Sequence, residues 1–437
     1  MKQQTQTKTL FIEDMTEEEK AKYFKNVLND ILPIGIMNMG NTCYLNSTLQ
    51  VMKKLPELRR GIDEHKGMTN NPRDSLVQEM KVQFRNMDDL GKTTQPLTLL
   101  SAFFNLFPMF AEKTPDQRAY QQQDADECFQ MMFQEMRTVL RTPGTNEESV
   151  IQLESEAVET DLIKSLFSIK MQVKFQNLEN PVDKSDAPSE SVNKLSCIIA
   201  DQDPPVNYLA QGISASLVAQ VEKQSALTGE NAVFEKKMKM ENLPPYLTVQ
   251  KIRFVWKEAD VNTGTEARKA KIFRKVLFPM VLDTEDFLSS ELKEKLGPIR
   301  KKELEIELAS KDKEKTYFEE FKKKYADKDM DTFKIHQLFK KQREEDKILE
   351  LDSTLWAPMD ETKATGKYRL CGVITHKGRS SESGHYIAWV HHKGESWVKF
   401  DDDLVSKVKE QDILNLHGGG DWDTAYYLVY RRLHLNK

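Results

Sequence analysis

Gly35-Ile36-Met37-Asn38-Met39-Gly40-Asn41-Thr42-Cys43-Tyr44-Leu45-Asn46-Ser47 is the stretch around which the chain is read. It sets one cysteine where a turn meets a helix. Gly40-Asn41-Thr42 reads as a turn ending in an N-cap, and Leu45, Leu49 and Met52 recur behind it at helical spacing. Cys43 then stands in the first helical turn, where aligned peptide dipoles favour the thiolate. Asn38 brings a side-chain amide able to reach the same point. A thiol nucleophile needs a lowered pKa, a nearby base and donors aimed at a developing oxyanion. This stretch supplies the first and the third. The competing reading is a small buried hydrophobe, the usual state of a free cysteine.

The 437 residues are 39% hydrophobic and 30% charged, which permits a sizeable core beside strongly solvated stretches. A net charge of -5 gives no electrostatic basis for nucleic acid as a main partner. The four cysteines form no C-x-x-C pair, which argues against a disulfide framework and a zinc ribbon and points to a reducing compartment. Met1-Lys2-Gln3-Gln4-Thr5 opens no apolar leader, and no run of about 18 apolar residues occurs. A soluble intracellular chain with no membrane partner is expected.

Residues 1–33 read as a tail, with a short helix near 16–29 started by the Thr16/Glu19 capping box and closed by Pro33. Residues 43–142 read as mostly helical: Cys43 to Leu55, Asp74–Met87, Leu97–Phe110 and Asp124–Leu140. Pro143-Gly144 then breaks the chain before an acidic loop, Glu147–Thr160. From Leu162 strands are expected over Phe167–Phe175, Lys194–Ile199 and Tyr246–Trp256. Glu179–Val192 reads as a polar turn region, Tyr208–Lys223 as a helix and Lys257–Lys271 as a loop. Ser289–Glu350 is rich in Lys and Glu, with Phe318, Phe321 and Tyr325 at helical intervals. It reads as a solvated helical insertion, with a partner-binding helix as the sharper alternative. Tyr368–Tyr430 reads as strands, among them Leu370–His376, a hairpin of His385–His391 with Ser396–Phe400, and Ala425–Tyr430. Gly418-Gly419-Gly420 lacks the context of a phosphate loop and reads as a flexible turn.

Of the eight histidines, His385 stands apart. It follows Gly384 and opens the apolar run Tyr386-Ile387-Ala388-Trp389-Val390, so it is held by rigid scaffold at a strand start. A hairpin centred on Lys393-Gly394 sets His385 opposite Asp402, and a shift of one residue gives Asp401 or Asp403. An acid therefore faces the imidazole in every reasonable register, ready to fix its tautomer. Register alone does not choose among the three.

These segments resemble motifs of the ubiquitin-specific proteases. Gly35 to Ser47 resembles their Cys box. Gly384-His385-Tyr386 with Trp397-Val398-Lys399-Phe400-Asp401-Asp402-Asp403 resembles their His box. Gln122-Gln123-Asp124-Ala125-Asp126-Glu127, Leu243-Pro244-Pro245-Tyr246 through Arg253-Phe254, and Ala425 to Arg431 resemble three further family segments. Lys8 to Thr16, Leu195-Ser196-Cys197, Thr375 to Ser381 and Gly418 to Trp422 resemble the proteasome-associated branch. Members of that branch carry an N-terminal ubiquitin-like domain, and this chain begins at what resembles the linker after it.

The resemblance implies an α+β fold: a papain-like cysteine protease core with a helical thumb, a β-rich palm and β fingers, over residues 34–433. It implies a deubiquitinating thiol protease with Cys43 as nucleophile, His385 as base and later acid, Asp401 as orienting carboxylate and Asn38 as oxyanion donor. Gln122, Asp124, Phe254 and Tyr386 would hold the ubiquitin tail. Loops at Lys257–Lys271 and Gly378–Gly384, the latter with Ser380, Ser381 and Glu382, would obstruct the channel until the proteasome relieves them. Glu382 stands where the relative has serine, and Cys128 stands where most members have phenylalanine, which reads as core packing. Many members hold zinc in the fingers through paired cysteines; only Cys197 lies in the corresponding part of this sequence, so neither a metal nor another cofactor is expected. The expected partners are ubiquitin, its conjugates and the regulatory particle of the 26S proteasome. A monomer in the cytoplasm, with the nucleus as a second compartment, is expected. Two rival readings are a latent ubiquitin-binding or proteasome-scaffolding module, and a papain-like protease of ordinary peptides.

Overall fold

The computed structural model describes residues 32–67, 71–88, 93–143, 159–200, 204–257, 268–324, 333–340, 359–380 and 383–435, with a few single positions between 331 and 355. Residues 1–31 of the tail expected at 1–33, with its helix, lie outside these, as do most of Glu147–Thr160 and Lys257–Lys271, Tyr325, Ser381 and Glu382.

The first half is helical: α1 (Cys43–Lys53), α2 (Pro56–Glu64), α3 (Pro72–Asn86), α4 (Leu97–Leu106) and α5 (Ala125–Val139). The starts follow local chemistry. Pro72 takes the first helical position of α3, and the Asn71 side chain accepts the Arg73 N–H at 3.0 Å. Asp124 caps α5, accepting from Asp126 N at 2.8 Å. Pro108 ends the expected helix Leu97–Phe110 at Leu106, and the chain continues as a 3-10 turn. Every residue of α1 from Cys43 to Met52 is buried, so it is the central helix and not an amphipathic surface one. Its polar side chains are satisfied inside: Gln50 donates to Ile34 O at 3.0 Å and Thr48 to Tyr44 O at 2.8 Å.

Short strands β1 (Arg141–Pro143) and β2 (Glu159–Asp161) lead to α6 (Leu162–Phe167). Then come β3 (Ile169–Asn177), β4 (Lys184–Val192), β5 (Leu195–Ile198), α7 (Leu209–Ser216), β6 (Val218–Gln224) and β7 (Asn231–Met240). They are followed by β8 (Tyr246–Ile252), β9 (Phe254–Lys257), β10 (Arg268–Lys271), β11 (Val281–Asp283) and α8 (Ser290–Lys324). The last strands are β12 (Ala364–Lys377), β13 (His385–Lys393), β14 (Ser396–Asp401), β15 (Leu404–Lys409) and β16 (Thr424–His434). The large sheet runs β15-β14-β13-β12-β16-β8-β5, with β11 added beside β12, and a second sheet runs β4-β3-β7-β6. Central strands β12 and β16 are buried on both faces, which explains their continuous apolar runs. One core lies between α1, the other helices and one face of the large sheet; a second covers the opposite face and the root of the four-stranded sheet. This mixed architecture is the α+β papain-like core.

Several expectations change. Phe167 ends α6, and its strand begins only at Ile169. Glu179–Val192 is not all turn: β4 is an exposed edge strand without apolar alternation, and its Pro188 sits at an irregularity between Met171↔Glu190 and Val173↔Ala187. Tyr208–Lys223 divides into α7 and the exposed edge strand β6. Tyr246–Trp256 breaks at Arg253, and β9 leaves the large sheet to pair with β10. Cys197 lies on β5 of the large sheet and not in the four-stranded sheet. In the charged insertion, Phe318 and Phe321 of α8 pack on Ile335 and Phe339 from a helical stretch at 333–340.

Candidate active site

Cys43 is placed by the turn before it. Asn41 and Gly40 take positive φ of 57° and 99°, and Asn38 Oδ1 accepts from Gly40 N at 2.9 Å and Thr42 N at 3.2 Å. Thr42 does not cap α1; its hydroxyl accepts from Met39 N at 2.9 Å and closes the turn instead. With no side-chain cap, the start of α1 stays available to an anion. Upstream, Gly35 is required by close approach, since a Cβ there would lie 2.6 Å from Asp402 O.

Strand β13 brings His385 to the thiol. Contact with Cys43 is the largest influence on this imidazole, which is pushed up to about 9 against the effect of its partial burial. Asp401 and Asp402 add to the rise. His385 Nε2 lies 2.7 Å from Asp401 Oδ1 and 3.8 Å from Asp402 Oδ2, which leaves Nδ1 for the thiol. Burial alone would raise the Asp401 carboxyl, but hydrogen bonds from His385 and Lys399 hold it below its ordinary value. Asp402 is raised by burial, opposed by the amides of Asn46 and Asn38.

The observed hairpin pairs Ala388 with Phe400 and His391 with Trp397, one residue away from the expected register. Continued outward, that register faces His385 with Asp403. However, β14 ends at Asp401, and Asp402-Asp403 turn into β15, with Asp402 at φ 55° and Asp401 opposite Leu404. Side-chain alternation keeps His385 and Asp401 on one face, so they meet as a diagonal pair.

Gln122 and Tyr386 complete the surroundings of the sulfur. Gln122 Nε2 lies 3.5 Å from Cys43 Sγ, and the Tyr386 N–H donates to it at 3.4 Å. Tyr386 is itself buried, so its part at the thiol is played by its backbone. Asn38 donates its amide to Asp402 Oδ2 at 2.9 Å. Asp124 accepts from the Tyr426 hydroxyl at 2.8 Å and lines a cleft of about 270 Å³ with Gln250, Phe254, Lys269 and Tyr426. Cys43 is 1% exposed in this arrangement. Cys128 is buried beside Met132, and burial pushes its thiol up, as core packing requires.

The neighbouring segments are tied to one another. Gly378 N donates to Asp421 O at 3.1 Å, Lys271 N to Arg379 O at 3.0 Å and Gly419 N to Phe273 O at 2.7 Å. Ala270 and Ser380 form a further bridge. Gly384 has φ 136°, and a Cβ there would lie 2.3 Å from Lys377 O. Three contributors have no role legible in the sequence. His376 is buried under Gly384, edge-on to Phe254 and Tyr386 at 5.1 and 4.9 Å. Lys271 donates to His376 O at 2.6 Å. Arg253, fully buried, donates to the carbonyls of Ala425, Ile272, Arg274 and His417. Arg253 entered the sequence analysis only as part of the family-like segment Leu243 to Phe254, with no role assigned to it.

Comparison with known proteins accords with this geometry. The profile of the family described as Ubiquitin carboxyl-terminal hydrolase matches residues 34–430. The chain is 32% identical over 427 residues to ubiquitin carboxyl-terminal hydrolase 6 of Arabidopsis thaliana, covering 97% of this chain and 81% of that protein. It is 31% identical to ubiquitin carboxyl-terminal hydrolase 6 of Schizosaccharomyces pombe, covering 96% and 81%. Ubiquitin carboxyl-terminal hydrolase 14 of Caenorhabditis elegans is 32% identical, covering 92% and 74%. A thiol in contact with an imidazole that a carboxylate orients, in a chain matched over nearly its whole length, leads to one conclusion: the protein belongs to the ubiquitin carboxyl-terminal hydrolase family and is a cysteine-type deubiquitinase.

Proposed function

We propose that Cys43 is the nucleophile of this deubiquitinase, His385 its base and later acid, and Asp401 the carboxylate that orients the imidazole. The observation that carries this reading is the chain of contacts from Cys43 through His385 to Asp401, the last 2.7 Å long. The thiolate attacks the carbonyl carbon of ubiquitin's C-terminal glycine, a C–S bond forms, and charge moves to the carbonyl oxygen. Asn38 serves as oxyanion donor: one amide hydrogen goes to Asp402 and the second remains for the substrate. The open start of α1 and the Gln122 amide support the same charge. His385 passes its proton to the leaving lysine amine, the amide C–N bond breaks, and a water deprotonated by His385 then hydrolyses the thioester.

The cleft lined by Asp124 and Phe254 receives the ubiquitin tail, and the segments at Lys257–Lys271 and Gly378–Gly384 regulate access to it. The near-complete burial of Cys43 supports a resting state of low activity. Association with the proteasome regulatory particle relieves it, in a monomeric, cytoplasmic and nuclear protein whose catalytic domain spans residues 34–433. A probe that traps thiols at ubiquitin's C-terminus tests the whole reading. Wild type forms an adduct at Cys43, more of it with proteasome added, and Cys43→Ala forms none yet still binds ubiquitin. Unchanged turnover of a fluorogenic ubiquitin conjugate by Cys43→Ala overturns the assignment, and labelling indifferent to proteasome removes the regulatory part.

A further inference from the structure

Beside the catalytic centre, positive charge collects in one place. Lys269 and Lys271 on β10 and Arg379 after β12 line a polar cavity of about 600 Å³, together with Ser380, Gly419 and Asp421. Behind its wall lie Arg253 and Lys251, both fully buried. Neither meets a carboxylate among the described residues: Arg253 donates only to carbonyls, and Lys251 donates to Val276 O at 2.9 Å. The Lys269 side chain has no hydrogen bond or ion pair among the described residues; its ammonium stands 6.0 Å from the centre of the Phe254 ring. The opposing charge is small. Asp421 lies 3.2 Å from Arg379, but with 52% and 81% of their side chains exposed the pair is screened by water. Asp421 and Asp423 also act on Lys271, yet burial and the charge of Arg253 still hold that ammonium down at about 8. The site carries a surplus of cations that an incoming anion would relieve.

We propose that this cavity binds a small molecule bearing more than one phosphate. Its cationic groups come from separate chain segments and face one compact space. The planar fork of Arg379 suits two phosphate oxygens, Lys269 acts as a point charge on a second group, and Lys271, whose ammonium is buried on His376 O, adds positive potential from the wall. An acidic peptide spreads its charges along an extended backbone, whereas a polyphosphate matches a compact cavity. The same segments, 268–273, 378–380 and 418–421, are hydrogen-bonded to one another, and they flank His385. A ligand bridging them fixes the chain on the Lys377 side of His385, which pairs with Lys377, so binding lowers deubiquitination. The activity arm rests on the function proposed above, and the binding arm does not.

Calorimetric titration of the full chain with inositol hexakisphosphate at physiological ionic strength tests the site. Wild type binds one molecule per chain. Arg379→Gln, at a largely exposed side chain whose loss leaves folding intact, weakens binding, and the double variant with Lys269→Gln weakens it at least about tenfold. Lys322→Gln on α8 binds as wild type does. Absence of binding by wild type, or equal affinity in the double variant, overturns the proposal. Competition by poly-glutamate as strong as by the phosphate compound also overturns it, in favour of an acidic peptide. A second arm uses phosphatidylcholine vesicles carrying a phosphatidylinositol bisphosphate. Binding to the free compound unaltered by these vesicles assigns a soluble metabolite, and stronger binding on vesicles assigns a lipid headgroup; both support phosphate recognition. Inhibition of ubiquitin-conjugate cleavage that weakens in Arg379→Gln in step with its binding links site to activity, and intact binding without inhibition removes only that link.

Discussion

Asp402 binds the side-chain amide of Asn38 at 2.9 Å, although its neighbour Asp401 is the acid that holds the His385 imidazole. The Asp402 carboxylate also accepts from Asn46 at 2.8 Å, and its carbonyl from Ile36 N at 3.0 Å. The turn after β14 is thus latched to the chain that leads into Cys43. Removing the amide should act on the transition state. Asn38→Ala is expected to lower kcat on the order of 10²-fold with KM little changed. Asp402→Ala should shift kcat in the same direction by freeing Asn38. Steady-state kinetics on a fluorogenic ubiquitin conjugate decides; an effect confined to KM would remove Asn38 from the oxyanion site.

His385 should titrate near 9, chiefly because of the Cys43 thiol. Its raised value contributes stability that is complete below the unfolded value of about 6.5 and is lost as pH rises through about 9. If the protonated ring supplies the leaving-group proton, as proposed, kcat/KM should fall on the alkaline side near the same pH. In Cys43→Ala the imidazole should titrate at lower pH. An NMR titration of the His385 ring in both proteins checks this, and identical curves would refute the coupling.

Gly384→Ala should inactivate the enzyme. Its φ of 136° disfavours any side chain, and the new methyl would meet Lys377 O at 2.3 Å and His376 Nε2 at 2.5 Å. Relief requires the backbone before His385 to move. The expected signature is a large loss of kcat, a lower Tm and persisting ubiquitin binding. Wild-type turnover would show that the loop adapts.

Acid should destabilise the fold through histidines buried without charge. Burial pulls both His376 and His391 down to about 3. Between the unfolded value near 6.5 and that folded value, the unfolded chain binds more protons, so stability is intact above about 6.5 and falls as pH drops toward 3. Each ring accounts for on the order of a few kcal/mol at the acid end. His391→Gln keeps a donor for Gly394 O, which Nε2 now meets at 2.7 Å, and should flatten the acid limb of a denaturation series. An unchanged limb would place acid lability elsewhere.

The sequence is most legible where chemistry and pattern coincide. The turn before Cys43, the strand opened by His385 and the helices over Asp74–Met87 and Asp124–Leu140 were all visible. Edge strands β4 and β6 were not, because residues exposed on both faces carry no alternation. Hairpin register bracketed the His385 partner and only the family resemblance singled out Asp401, since a two-residue turn at Asp402-Asp403 ends the ladder where register extrapolation continues it. Arg253 and His376 lay in recognised segments and Lys271 at the end of an expected loop, yet none was given a role, because those roles depend on carbonyls and rings far away in the chain.

The break at Arg253 has a consequence for how the protein breathes. One guanidinium holds carbonyls on either side of Phe273 and others at His417 and Ala425, and Phe273 O and Arg379 O in turn receive the amides of Gly419 and Lys271. Opening any one of these segments exposes that buried cation to water and loosens the rest. The amide protons of Lys271, Gly378 and Gly419 should therefore exchange with deuterium together, at one shared opening free energy, and Arg253→Lys should split them into separate rates.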